Sequence, residues 1–180
     1  MKDLIDYKEP KPYLLRRMLW TFINSTVFRV RLPRLFWMRN FLLKLFGAKI
    51  PWHCNIYPSV NIYAPWNLEL GVYVTIGPRC NIYNRAHISI GPNSTVSQDS
   101  ELCSASHDSR YSLMPLTLKP ISIGKRVWIA SGAFIGPGVD IGEGSVIAAR
   151  SVVFKSLPNF SIAQGNPAVI TKKRLLTDSI

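Results

Sequence analysis

Three imidazoles and three thiols are the groups in this sequence whose types and spacing could do chemistry: His53, His87 and His107, and Cys54, Cys80 and Cys103. His107 lies in the stretch CSASHDSRY, Cys103–Tyr111. An imidazole there can take a proton from a hydroxyl near neutral pH. Asp108 adjoins it as a candidate to orient the ring, and His87 stands twenty residues earlier. Three neutral imidazoles and a water would also suit zinc. Cys103 as a covalent carrier has only His107 to activate it, so it reads as structural. An odd number of thiols with no CxxC pair fits a reducing compartment without a disulfide framework.

The elements that position these groups follow from a hexad. In Ile123–Val153 every sixth residue is a β-branched aliphatic: Ile123, Ile129, Ile135, Ile141, Ile147 and Val153. The register runs backwards through Ile90, Val96 and Leu102, through Leu70, Ile76 and Ile82, and to Ile50, Ile56 and Ile62. A helix needs a period near 3.6 and a strand a period of 2, so six with interspersed glycines fits neither. It fits a three-sided column with one aliphatic per face per turn. Five sets give five coils, a prism about 24 Å tall at strand spacing. The residue four after each aliphatic is mostly small and reads as an inward corner; Ala86 and Ser106 are among these. Extra residues fall after the third face, as does the long gap between Leu102 and Ile123. His107 therefore sits on a corner loop, 103–122, with His87 one coil length below, about 5 Å beneath it.

The 180-residue chain is 47% hydrophobic and 18% charged, which allows a packed core and excludes wholesale disorder. Its formal charge of +12 points to an anionic partner. Between Lys11 and Lys49 there are nine Lys or Arg and no Asp or Glu. Residues 12–47 read as helical, with Leu14, Leu15, Met18, Leu19, Phe22, Ile23, Val27 and Val30 at helical spacing, a break at Pro33 and a C-cap at Gly47. The polar side carries Arg16, Arg17, Arg29, Arg31, Arg34, Arg39 and Lys44. The expected arrangement packs the apolar face on the first coil as a cap. Peripheral contact with an anionic membrane through 12–47, with Trp20 and Trp37, is compatible with it. The run Met18–Phe28 is too short to span a bilayer and the first ten residues are no signal peptide, so a cytoplasmic location is expected, with the inner membrane face open. The chain divides into a helical basic segment, 1–48, a column, 49–157, and a tail, 158–180. No P-loop and no nucleic-acid module occurs, so no nucleic-acid partner is expected.

The repeated [LIV]-G-x-x-[STAVC]-x pattern over residues 50–170 resembles the hexapeptide-repeat, left-handed β-helix acyltransferases. SASHD, the basic helical N-terminus and QGNPAVITKKR are most similar to the acetyltransferases assigned to colanic acid biosynthesis. The resemblance implies a mainly β fold, a left-handed parallel β-helix, and acetyl-CoA-dependent transfer to a sugar hydroxyl in exopolysaccharide assembly, with no metal. It implies His107 as general base and the backbone N–H of Ser131, in WIAS, as oxyanion donor. Trp128 would line the donor channel, and Ser131, Ala149, Lys155, Lys172, Lys173 and Arg174 would contact the donor. Asn84, Arg85 and His87 are candidate acceptor contacts. The active unit implied is a homotrimer with sites between columns, acting on a sugar or oligosaccharide. Two other readings use the same residues: a zinc enzyme like the gamma-type carbonic anhydrases, built on His53, His87 and His107, and a non-catalytic trimeric carbohydrate-binding scaffold.

Overall fold

The computed structural model describes residues 11–30 and 35–175; Arg31, Pro33 and Arg34 lie outside them, as do the first ten residues. Short strands wind around three faces. The first face stacks Leu68–Leu70, Ile88–Ile90, Ile121–Ile123 and Asp140–Ile141. The second stacks Asn55–Ile56, Thr75–Ile76, Thr95–Val96, Trp128–Ile129, Val146–Ile147 and Ser161–Gly165. The third stacks Asn61–Ile62, Asn81–Tyr83, Glu101–Cys103, Phe134–Ile135 and Val152–Val153.

Coils pair in parallel with the hexads in register: Ile56, Ile76, Val96, Ile129 and Ile147 form one inward stack. Ile62, Ile82, Leu102, Ile135 and Val153 form another. All fifteen expected aliphatics are at most 5% exposed, so the interior is the dry column that the spacing predicts. Leu68, Ile88 and Ile121 add a further inward stack on the first face, two residues before the hexad. The corners leave no room for side chains where coils touch. A Cβ on Gly91 would lie 2.6 Å from the Gly124 carbonyl carbon of the next coil.

The corner after the third face differs from the expected pattern. Ser106 is exposed and Ala86 half-buried; Asn84 and Ser104 take the inward position instead. The two extra residues at this corner turn the chain earlier, and polar side chains satisfy the backbone that the turn frees. The column also continues past Pro158. Leu157 bridges Ile141, and Ala163, fully buried, pairs with Ile147 in a partial sixth coil. Ala168–Lys173 then folds back antiparallel on Ser161–Gly165 and covers that end.

At the other end, helix α1 (Lys11–Ser25), a short 3₁₀ turn (Val27–Arg29) and helix α2 (Phe36–Leu45) form the cap. They pack only in part as expected: Ile23 lies against the core, as do Leu42 and Phe46 at the second helix. Leu14, Leu15, Met18, Leu19 and Phe22 are exposed, while Trp20, Asn24, Phe28, Arg39, Asn40 and Leu43 are buried against the column or one another. The cause lies in the first coil. The N–H groups of Asn61 and Tyr63 donate up to Cys80 and Ile82, so the peptide of Ile62 faces away, with no coil beneath it. Trp20 Nε1 donates to its carbonyl at 2.6 Å, and Asn40 Nδ2 donates to the carbonyls of Trp52 and Cys54, each at 2.9 Å. An open coil needs hydrogen-bond donors, which a stripe of Leu and Phe lacks. Among the described residues no helix is long and apolar enough to cross a membrane.

Replacing Asn40 by Leu removes the donor of the buried Cys54 carbonyl and of the part-buried Trp52 carbonyl and should lower the unfolding free energy by about 1–3 kcal/mol. Met18→Gln, on the outward face, should change it by less than about 0.5 kcal/mol. Urea unfolding of both variants checks this; the reverse order would mean that the cap is turned over.

Candidate active site

After Ser104 the chain leaves the column as a hairpin, Ala105–His107 against Leu116–Leu118, and rejoins it at Lys119, whose N–H donates to the Ser104 carbonyl. The expected loop, 103–122, is thus mostly this hairpin; Cys103 and Ile121 still belong to the column. His107 is exposed, and its Nδ1 lies 2.7 Å from the Met114 carbonyl. A carbonyl only accepts, so Nδ1 carries the proton and Nε2 keeps the lone pair. Met114 holds φ at +40°, a left-handed conformation that costs a residue with a side chain about 1 kcal/mol or more. Its carbonyl fixes the imidazole.

Asp108 does not orient the ring. Both of its oxygens are taken by Arg110, Oδ1 by Nε at 2.9 Å and Oδ2 by Nη2 at 2.6 Å, and that pairing holds the Asp108 carboxyl below the usual carboxylate range. A cleft of about 510 Å³ opens here, lined by Ser106, His107, Asp108, Ser109, Arg110, Thr117, Lys119 and Pro137. It is polar, with hydroxyls and two cationic side chains around one imidazole. Burial raises the Cys103 thiol above its ordinary pKa, so the group next to the hairpin is no ready thiolate.

His87 does not stack beneath His107, because the hairpin departs from the column. Its carbonyl accepts from Ile121, and its Nε2 lies 3.5 Å from Glu69 Oε2 one coil below. His53 stacks against Tyr73, ring centres 5.7 Å apart. Each imidazole thus has a different partner, and the described residues contain no cluster of three or more His, Cys, Asp or Glu placed to hold a metal.

Asn84 is fully buried. It accepts from the Ala64 N–H at 2.9 Å and donates to the Ala64 carbonyl at 2.6 Å, so it splices two coils and has no face left for an acceptor. Arg85 is half-buried, its guanidinium 5.7 Å from the centre of the Tyr63 ring.

The second-to-third corner carries a different feature. In the turns that follow Ile76, Val96, Ile129 and Ile147, the first residue donates to the coil above, as Ser97 does to Ile129 and Ala130 to Ile147. The third donates to the coil below, as Gly132 does to Gln98 and Arg150 to Ser131. The middle residue is Pro78 in the lowest of these four turns, as it is Pro58 in the turn after Ile56 beneath them, without an N–H. Above Pro78 it is Gln98, Ser131 and Ala149, whose N–H groups meet no acceptor among the described residues. Three free amides, about 4.8 Å apart, thus line one edge of the column. Ser131 and Ala149 are among the donor contacts that the family resemblance implies; Gln98 is not, though the change from Pro to non-Pro is there in the sequence. Trp128 is half-exposed on the adjoining face, its Nε1 donating to Ser97 Oγ at 3.0 Å.

Among the expected basic contacts, Lys172 and Lys173 are exposed on the returning strand. Arg174 is engaged: its guanidinium donates to the carbonyls of Gly144 at 2.8 Å and Arg126 at 3.3 Å and pins the strand to the column. Lys155, exposed, stands on the third-to-first corner, the corner from which the hairpin carrying His107 also leaves. The site residues therefore fall into two groups. Arg85, His87, His107 and Lys155 share one edge; Trp128, Ser131, Ala149, Lys172 and Lys173 share another face and its border. A face some six residues wide, on the order of 15–20 Å, separates His107 from Ser131 within one copy.

A prism of hexad coils with a hairpin at one corner is the fold of known acetyltransferases to which the chain is similar. Residues 120–155 match the family described as "Bacterial transferase hexapeptide (six repeats)". The chain is 42% identical over 182 residues to "Putative colanic acid biosynthesis acetyltransferase WcaF" of Escherichia coli (strain K12), covering 99% of this chain and 100% of that one. It is 34% identical to a galactoside O-acetyltransferase of Lactococcus lactis subsp. lactis (strain IL1403), over 74% of this chain and 57% of that one. Among solved structures, a maltose O-acetyltransferase from Clostridium difficile 630 superposes with a TM-score of 0.84 at 24% identity, over 93% of this chain and 90% of that one. A galactoside acetyltransferase in complex with coenzyme A superposes at 0.76 and 25% identity, over 93% and 84%. The chain belongs to the hexapeptide-repeat acetyltransferase family, and its column is a left-handed parallel β-helix.

Asn84→Ala should lower the unfolding free energy by about 1–3 kcal/mol through the unpaired Ala64 backbone. It should leave the acceptor KM unchanged; a raised KM without loss of stability would restore Asn84 to the site.

Proposed function

We propose that the protein transfers an acetyl group from acetyl-CoA to a sugar hydroxyl in exopolysaccharide biosynthesis, with His107 as general base. The observation that carries this reading is the His107–Met114 hydrogen bond, which commits Nδ1 as donor and leaves Nε2 basic beside a polar cleft. The donor supplies an acetyl carbon activated as a thioester. Nε2 takes the proton of the acceptor hydroxyl as its oxygen attacks that carbon, and returns it to the departing sulfur. The negative charge that develops on the carbonyl oxygen needs a donor already in place, and the free N–H of Ser131 offers one.

The column fits the rest of the donor. The ladder of Gln98, Ser131 and Ala149 amides suits the carbonyls of an extended pantetheine arm, with Trp128 beside it as an apolar wall. Lys172 and Lys173 are exposed for the phosphates, as is Lys155 of a second copy. One copy keeps His107 and Ser131 on separate edges, so the reaction needs His107 from one column facing Ser131 of another. A homotrimer of parallel columns makes three such sites. The sugar acceptor is supported by the names of the relatives, which include colanic acid, galactoside and maltose acetyltransferases.

His107→Ala should lower acetyl transfer by about 10²–10⁴-fold without altering the oligomer, followed by thiol release and by gel filtration. Turnover retained in that variant overturns the mechanism. Lys172→Ala with Lys173→Ala should raise the acetyl-CoA KM about tenfold with little change in kcat. An unchanged KM would place the phosphates elsewhere.

A further inference from the structure

The cap leaves an apolar surface at the end of the column. On α1, Leu15, Met18 and Phe22 follow one another along the outward face; on α2, Trp37, Phe41 and Leu45 do the same. These six side chains are 48–67% exposed, although the helices that carry them bury Trp20, Arg39, Asn40 and Leu43 on their other sides. Soluble surfaces rarely gather so many large apolar groups without a use. The face points off the end of the column, because the buried side reaches the downward carbonyls of the first coil. Copies packed side by side through their edges would therefore leave it uncovered.

We propose that this outer face of the cap docks on an anionic lipid bilayer and stands the column end-on to it. Charge selects the occupant. The segment from Lys11 to Lys49 holds nine Lys or Arg and no Asp or Glu. Arg39 is buried and Lys49 stands 3.9 Å from Glu69, but Arg16, Arg29 and Lys44 remain accessible on the cap, so a second copy seated end to end would oppose like charges. An anionic surface pairs with them while the apolar ridge enters the acyl boundary. Neither helix spans a membrane, so the contact is peripheral. Lys44 Nζ sits 5.1 Å from the centre of the Trp52 ring, between the exposed Phe41 and Leu45 in sequence, and places a cation beside the ridge. In a trimer of parallel columns three such faces lie in one plane, so weak contacts multiply. The inference does not rest on the acetyl-transfer reading.

The test is co-sedimentation of the full chain with vesicles of phosphatidylcholine alone and of phosphatidylcholine with phosphatidylglycerol. Binding is expected to the second only, weakening as salt is raised. The double variant Met18→Glu, Phe22→Glu should lower the partition coefficient at least about tenfold, with its circular dichroism and oligomeric state unchanged. A readout that needs no folded variant is fluorescence: brominated lipid in the anionic vesicles should quench wild-type tryptophan emission, and less so in Trp37→Phe. No binding by the wild type, equal binding by the double variant, or no quenching overturns the proposal. A wild type that ignores vesicles and an oligomer that falls apart in the double variant would assign the face to contact between copies instead.

Discussion

Backbone hydrogen bonds between successive coils are the constraint from which everything else in this molecule descends. Asn55 donates to Val74, Thr75 to Ser94 and Thr95 to Val127, the same step repeated upward. Once one coil is placed, the next has little freedom to slide or rotate, since a slip of one residue would turn Ile76 or Val96 outward. Only the corners can absorb extra chain. The hairpin with His107 leaves at a corner for that reason, and it leaves between two coils whose pairing it does not interrupt: Ile88 still meets Ile121 and Leu102 still meets Ile135. The hairpin that carries His107 is thus rooted between two fully paired coils.

The same constraint creates a cost at each end, and the two ends are solved differently. The top is closed by chain of its own kind, a strand folded back antiparallel and tied by Arg174. The base is closed by side chains that donate, Trp20 and Asn40, packed with Phe28 at 5.6 Å and Phe46 at 5.2 Å from the Trp20 ring. That demand splits the apolar residues of the helices. Trp20, Asn24, Asn40 and Leu43 go in, and Leu15, Met18, Phe22 and Leu45 are left out.

Legibility in the sequence tracked this division. The hexads announce themselves because one aliphatic per face has no substitute in a dry interior; every one of them was placed, and the five coils with them. The corner after the third face was misread because Asn84 and Ser104 fill it by hydrogen bonding, as Asn84 does to both sides of Ala64, and polar residues carry no periodic signal. The helices are legible, but only part of their apolar face packs: Ile23, Leu42 and Phe46 reach the core, while the open coil takes the donors of Trp20 and Asn40 and leaves Leu15, Met18 and Phe22 outside. His107 stood out by its position in the long loop, but its partner could not: the Met114 carbonyl belongs to the backbone, and any residue type supplies one. Asp108, the conspicuous choice by adjacency, was claimed by Arg110 two residues on. The amide ladder was half legible, as prolines giving way to Gln98, Ser131 and Ala149.

Regular stacking also makes the column a graduated scale. The hairpin springs from the third coil, so the imidazole stands a fixed number of rungs from the helical base, each rung about 4.8 Å. Duplicating or deleting a whole turn beneath it would raise or lower the imidazole by one rung and keep it at the same corner. The height of the hairpin is in this way set by the count of coils, and its position around the column by the corner it leaves from.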